Sequence, residues 1–86
     1  MRHHNGDELE DMEDRELDLE MVREDMVGEL EAINQYQAHI DSMDNEEARK
    51  VLEHIRDDEK EHLAELTKLI QKLDSVQAAK FEKEGL

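Results

Sequence analysis

The 86-residue chain contains no cysteine, no proline and no tryptophan, and only three glycines, one tyrosine and one phenylalanine. Lack of cysteine excludes disulfides, thiolate zinc sites, iron–sulfur ligation and thiol nucleophiles, and leaves the redox compartment open. Lack of proline and near-lack of glycine remove the material of sheets and tight turns, while abundant Glu, Lys, Leu and Ala suit long helices. So few bulky rings in so short a chain give a thin core, and the sequence reads as one small all-α domain that does not fold well alone. No apolar run reaches the roughly 20 residues that span a bilayer, and the N-terminus has no secretory apolar core, which leads us to expect a soluble cytoplasmic protein. Basic residues are scarce as well: 11 Lys and Arg against 26 Asp and Glu give a formal charge of −15. That excess excludes a phosphate-binding surface for nucleic acid. It keeps the protein soluble and draws cations towards it.

What is present is periodic. Alternating three- and four-residue steps through the first half pick out Leu19, Val22, Met26, Glu29, Ile33, Tyr36, Ile40 and Met43. The same steps through the second half pick out Ala48, Leu52, Ile55, Glu59, His62, Leu66, Leu69 and Leu73. Each is the apolar stripe of an amphipathic helix, broken in the first case by a carboxylate and in the second by a carboxylate and an imidazole. A carboxylate on a buried seam needs a cation, a proton or hydrogen-bond donors to be tolerated, and a metal ion supplies the first.

Residues 1–13 hold Gly6, many acids and little apolar surface, and are expected to form a disordered acidic arm. Helical pattern begins near Asp14 and runs to about Met43. Asp44 as N-cap with Glu47 three residues on has capping-box spacing for a second helix, which runs to about Leu73. Residues 14–73 therefore read as a hairpin of two antiparallel helices. Asp74-Ser75 caps a short third helix, Val76 to Glu84, ended by Gly85, and residues 74–86 form a tail that either docks on a neighbouring subunit or trails from the hairpin. Glu29 and the Glu59/His62 pair lie at nearly equal distances from a turn near residue 45, so an antiparallel hairpin brings them to one height.

One hairpin offers two carboxylates and one histidine and leaves its seam exposed. A twofold dimer closing a four-helix bundle corrects both defects, doubling the set to four carboxylates and two histidines. That set, a Glu from each of two helices and Glu-x-x-His from each of the others, is the pattern of ferritin-like di-iron proteins. Hard carboxylate oxygens with an imidazole nitrogen one turn away suit iron or manganese.

The run Glu29-Leu-Glu-Ala-Ile-Asn-Gln-Tyr36, followed by Asp57-Asp-Glu-Lys-Glu-His62, resembles the ferritin-like superfamily, and the half-length format is similar to the encapsulated ferritins. The resemblance covers roughly residues 15 to 73. It implies a two-helix subunit that dimerises to complete a di-iron ferroxidase centre, assembles further into a ring, and resides inside an encapsulin shell in the cytoplasm. It implies iron as the metal, Glu29, Glu59 and His62 as ligands, and Tyr36 as a tyrosine close to the centre. Where an acidic residue of an outer metal-uptake site is expected, this chain has Gly28, which leaves Glu31 as that site's remaining member. The charged end Phe81-Glu-Lys-Glu-Gly-Leu86 does not resemble an encapsulin-targeting tail.

Competing readings are a di-metal site used for rubrerythrin-like peroxide reduction or for metal sequestration, and a non-enzymatic assembly module in which the polar layer only fixes register. Peroxide reduction would need an outside electron donor, because no cysteine is present to build a rubredoxin centre. His39 and His54 fall off the seams and read as surface residues, although His54 with Asp58 and Glu61 has cation-binding spacing. Met1-Arg2-His3 has the nitrogen donors of a square-planar copper or nickel site, and reads more simply as part of the arm.

Overall fold

Three helices follow in chain order in the computed structural model, which describes residues 5–86, with side chains from residue 13: α1 Asn5–Ser42, α2 Glu46–Leu73 and α3 Ser75–Lys83. The all-α expectation holds, and the described residues include no strand. α1 starts at Asn5 rather than near Asp14. The acidic segment carries no proline, and once a helix is nucleated downstream nothing in Asp7–Glu13 stops it from propagating upstream. The Met1-Arg2-His3 reading lies outside the described residues.

A three-residue connection, Met43 to Asn45, joins α1 to α2. The cap of α2 is Asn45, whose Oδ1 accepts from the Ala48 amide at 2.8 Å; Asp44 stands one residue too early, and the expected capping box does not form. Asn and Asp are equally good caps, so local preference could not separate the two. Glu46 and Glu47 then fall in the first turn of α2, where the helix dipole favours negative charge.

The hairpin is antiparallel, as its cross-links show. Arg23 reaches Asp74 at 2.9 Å, His62 lies 3.5 Å from Glu29, and Arg56 donates to Gln37 at 2.8 Å, so ascending positions on α1 meet descending ones on α2. Leu19 and Ile70 are buried towards the open end and Ile40 towards the turn, and no other described residue is as enclosed. Ile70 lies one residue off the stripe expected on α2, whose Leu69 is exposed instead; the other stripe residues are half-buried except exposed His62, and eight large apolar side chains among the described residues, including Leu17, Met21, Val51 and Leu69, stay exposed. Two helices cannot enclose their own seam.

Asp74 forms the corner between α2 and α3. Its amide closes α2 on the Ile70 carbonyl at 2.8 Å, while its Oδ1 caps α3 by accepting from the Gln77 amide at 3.0 Å. That amide, reinforced by the Arg23 guanidinium, holds the Asp74 carboxyl below its ordinary value of 3.8 against the opposing effect of burial. α3 packs back on α2, with Phe81 half-buried. It ends at Gly85, whose φ of 80° is the left-handed conformation of a Schellman stop; Leu86 donates to the Phe81 carbonyl at 2.8 Å and Gly85 to that of Glu82 at 3.1 Å. Among the described residues no helix is long and apolar enough to cross a membrane.

Candidate metal centre

Met26 and Ile33 flank Glu29 one turn either way on α1, and Ile55 and Leu66 flank the Glu59/His62 pair on α2. Packing of these neighbours turns Glu29 and Glu59 towards the seam, and Glu59 and His62, three residues apart, share one helical face. The hairpin brings Glu29, Glu59 and His62 together: one donor atom from each lies within 4.8 Å of the other two. The His62 Nδ1 stands 3.5 Å from Glu29 Oε2 and 3.5 Å from Glu59 Oε2, at the outer limit of hydrogen bonding. Donors so spaced would be able to share one cation.

The carboxylates are largely enclosed, at 22% side-chain exposure for Glu29 and 18% for Glu59, whereas His62 is 49% exposed. Glu29 Oε2 is buried and has no hydrogen-bond donor. Such an orphan is costly unless a cation or proton meets it. The Glu29 carboxyl is accordingly held above its ordinary 4.5, first by the chance to share a proton with Glu59, then by burial and the Glu59 charge, with His62 opposing. For His62, burial pulls the imidazole down, but the charge of Glu29 and the hydrogen bond and charge of Glu59 outweigh it and raise the group above 6.5. Both groups therefore give up their protons less readily in the metal-free site than they would in water. Two oxygen donors and an imidazole, with no thiolate, fit iron or manganese better than a soft-metal site.

Of the other residues singled out from sequence, Tyr36 lies half-buried on the packed face of α1, about 10 Å along the axis from Glu29 by a rise of ~1.5 Å per residue. Glu31 is exposed and does not join the cluster. His54 is exposed, with its Nε2 3.3 Å from Asp58, and Glu61 is not part of that contact; His39 is exposed too. Sequence reasoning passed over the cleft onto which Glu29 and His62 open. It is about 530 Å³ and is lined by Glu24, Asp25, Gly28 and Glu29 of α1 and by His62, Glu65, Leu66 and Leu69 of α2. The signal was available: Asp25 lies one turn before Glu29, and Glu65 three residues after His62.

Comparison with known proteins places the chain in a family. The model of the EncFtn-like family matches residues 3–84. The chain belongs to the EncFtn-like family. This EncFtn-like chain is similar to the encapsulin nanocompartment cargo protein EncC of Myxococcus xanthus (strain DK1622), at 48% identity over 68 residues, covering 79% of the chain and 52% of the relative. It is similar also to the cargo protein EncB of the same organism, at 36% identity over 66 residues, or 77% of the chain and 42% of the relative. It therefore spans about half the length of the curated relatives it matches. No solved structure matches it. The resemblance to encapsulated ferritins read from Glu29–Tyr36 and Asp57–His62 holds at the level of the family.

Proposed function

We propose that two copies of this hairpin close a four-helix bundle around a twofold axis near Glu29 and Glu59, and that the resulting centre oxidises Fe(II) to Fe(III) with dioxygen for iron storage and detoxification inside an encapsulin shell. The observation that carries the reading is the convergence of Glu29, Glu59 and His62 from two helices within 4.8 Å, with Glu29 Oε2 buried and lacking a donor. One hairpin supplies three ligating groups, too few for two ions and open on the His62 side; a twofold copy doubles the groups and covers that side. Fe(II) is the substrate, and two ions giving one electron each, with two protons from solvent, reduce dioxygen to hydrogen peroxide and leave two Fe(III) as product.

The chain's own part in this chemistry is positional and electrostatic. Glu29 and Glu59 supply hard oxygen donors, and His62 a borderline nitrogen that favours iron over calcium or magnesium. Four carboxylates in the dimer balance the charge of two divalent ions, so a loaded ferrous centre is near neutral and tolerable in a bundle core. Glu29 and His62 must be deprotonated to bind a cation, and both hold their protons more tightly than usual, which makes uptake weaker at acid pH. Tyr36 has the chemistry of an electron or hydrogen-bond donor beyond the ligands. Glu31, outside the cluster, is assigned to passing cations inward from the surface. The encapsulin shell comes from the relatives, both of which are named as encapsulin cargo.

The test is anaerobic titration with Fe(II) or Co(II), read by bound metal and by native mass. The proposal expects two metals per dimer in the parent chain and their loss in Glu59→Ala. Metal bound with equal stoichiometry by Glu59→Ala would remove Glu59 from the centre, and tight binding without oxygen consumption on later aeration would leave sequestration as the function.

A further inference from the structure

Arg56 is a cation folded into a hairpin that has little interior to offer it. Its side chain is 19% exposed, and it stands one turn before Glu59 on α2, where its charge opposes that of any divalent ion at the cluster. An enclosed charge needs partners. Arg56 has them: Nε and Nη2 reach Asp57 Oδ1 at 3.1 Å each, and Nη1 donates to Gln37 Oε1 on α1 at 2.8 Å. Gln37 in turn donates from Nε2 to Asp41 Oδ1 at 2.9 Å, so both ends of its amide are held. These residues form one polar network between the helices, and none of them belongs to the metal cluster.

The place of this network explains what it does. At ~100° of turn per residue, Gln37 and Arg23 lie round α1 from Glu29 in one sense, and Asp25 and Gly28, which line the cleft, lie in the other. On α2, Arg56 and His62 lie about 60° to either side of Glu59. The Arg56–Gln37 and Arg23–Asp74 links therefore close the flank of the hairpin away from the cleft, while Glu29 and His62 open on the flank that faces it. The short connection Met43 to Asn45 fixes the height of α2 against α1 but not its rotation, and the apolar neighbours of the cluster, Met26, Ile33, Ile55 and Leu66, are only half-buried and their contacts non-directional. A turn of ~20° of α2 about its own axis sweeps a side-chain tip ~5–6 Å from that axis through about 2 Å. That is a large part of the 3.5 Å between His62 Nδ1 and Glu29 Oε2, and far outside the tolerance of ~0.2 Å on a metal–ligand bond.

We infer that Arg56 is a positioning residue of the metal centre: through Gln37 it sets the rotation of α2 against α1, and so the distance of Glu59 and His62 from Glu29. The inference rests on the reading of Glu29, Glu59 and His62 as a metal centre, and neither on the dimer nor on iron oxidation. It gives a reason for a cation beside a cation site: the hydrogen bond that Arg56 makes to α1 outweighs the repulsion it brings. Removing the charge alone would tighten metal binding. Removing the hold on α1 weakens it, so the two effects differ in sign.

The experiment is anaerobic Co(II) titration of the full chain, read by bound metal and by the visible absorption of the bound ion, for parent, Gln37→Leu, Arg56→Met, the double variant and Arg56→Lys. Far-UV circular dichroism and native mass are recorded on the same samples. Gln37→Leu, which changes no charge, and Arg56→Met should each weaken binding about tenfold or more, the scale on which metal sites lose affinity when the groups that orient their ligands are removed. The double variant should bind no more weakly than the worse single one, because both changes break one link. Arg56→Lys keeps a donor for Gln37 and should recover part of the loss. Helicity and oligomeric state should match the parent at the assay temperature; where Arg56→Met loses its helices, Gln37→Leu decides alone. Parental affinity in Gln37→Leu, or affinity equal to or above parental in Arg56→Met, would overturn the positioning role and leave the metal centre standing. A parent that binds no Co(II) would overturn both.

Discussion

Leu69 gives the dimeric arrangement a quantitative handle. It lines the cleft beside His62 and leaves 39% of its surface in water in the isolated hairpin. Fully burying a leucine side chain is worth about 1.5–3 kcal/mol, so covering the remaining fraction contributes roughly 1 kcal/mol per copy. A twofold interface uses the residue twice, and Leu69→Ala should weaken dimerisation by about 2 kcal/mol, or roughly tenfold to fiftyfold in dissociation constant. The intramolecular part of its packing is lost as well, so thermal stability of the monomer falls, and dichroism must show that the helices persist at the assay temperature. Sedimentation equilibrium over a wide concentration range measures the effect. Exposed Val76 on α3 serves as the comparison, since it lies away from the cleft and its alanine variant should dimerise as the parent does. An unchanged dissociation constant for Leu69→Ala in a chain that dimerises would refute the placement of the partner over the His62 side.

Other expectations follow from the caps and the titrating groups. Glu29 and His62 both hold their protons more tightly folded than unfolded, so the stability they contribute without metal is present in acid and is lost as pH rises past 4.5 for Glu29 and through the raised range above 6.5 for His62. Asp74, held below 3.8, acts in the opposite sense, and its contribution is lost only as pH falls below that value. The apo protein should therefore melt higher in the weakly acidic range than at mildly alkaline pH, and a divalent metal should reduce or reverse that difference; a melting temperature that rises steadily with pH without metal would contradict the protonated cluster. Asn45→Ala removes the acceptor of the Ala48 amide and should cost about 1 kcal/mol by denaturant titration, whereas Asp44→Ala should cost little.

Much of this architecture can be read from the residues because two signals coincide. The stripes from Leu19 to Met43 and from Ala48 to Leu73 define the faces, and the short break at 43–45 defines the fold-back. Together they bring Glu29 to the height of Glu59 and His62 without any knowledge of rotamers. Features that depend on the absence of a stop signal were harder to read: the upstream extension of α1 to Asn5 follows from nothing in Asp7–Glu13 being a strong breaker. Adjacent residues with equal preference were ambiguous, as with Asp44 and Asn45. Long-range polar pairs such as Arg23 with Asp74 and Arg56 with Gln37 were not legible, because they depend on side-chain reach once the register is set. The exposure of His62 was likewise hidden, since a seam position tells which face a residue occupies but not whether one hairpin is wide enough to cover it.

The most direct test of the central claim is the rise of ferric absorbance after oxygen is added to anaerobically loaded Fe(II), recorded for the parent chain and for Glu59→Ala with oligomeric state monitored in parallel. The account predicts rapid oxidation by the dimeric parent and a fall to the rate of Fe(II) in buffer for Glu59→Ala. A parent no faster than buffer, or a Glu59→Ala variant as fast as the parent, would contradict it.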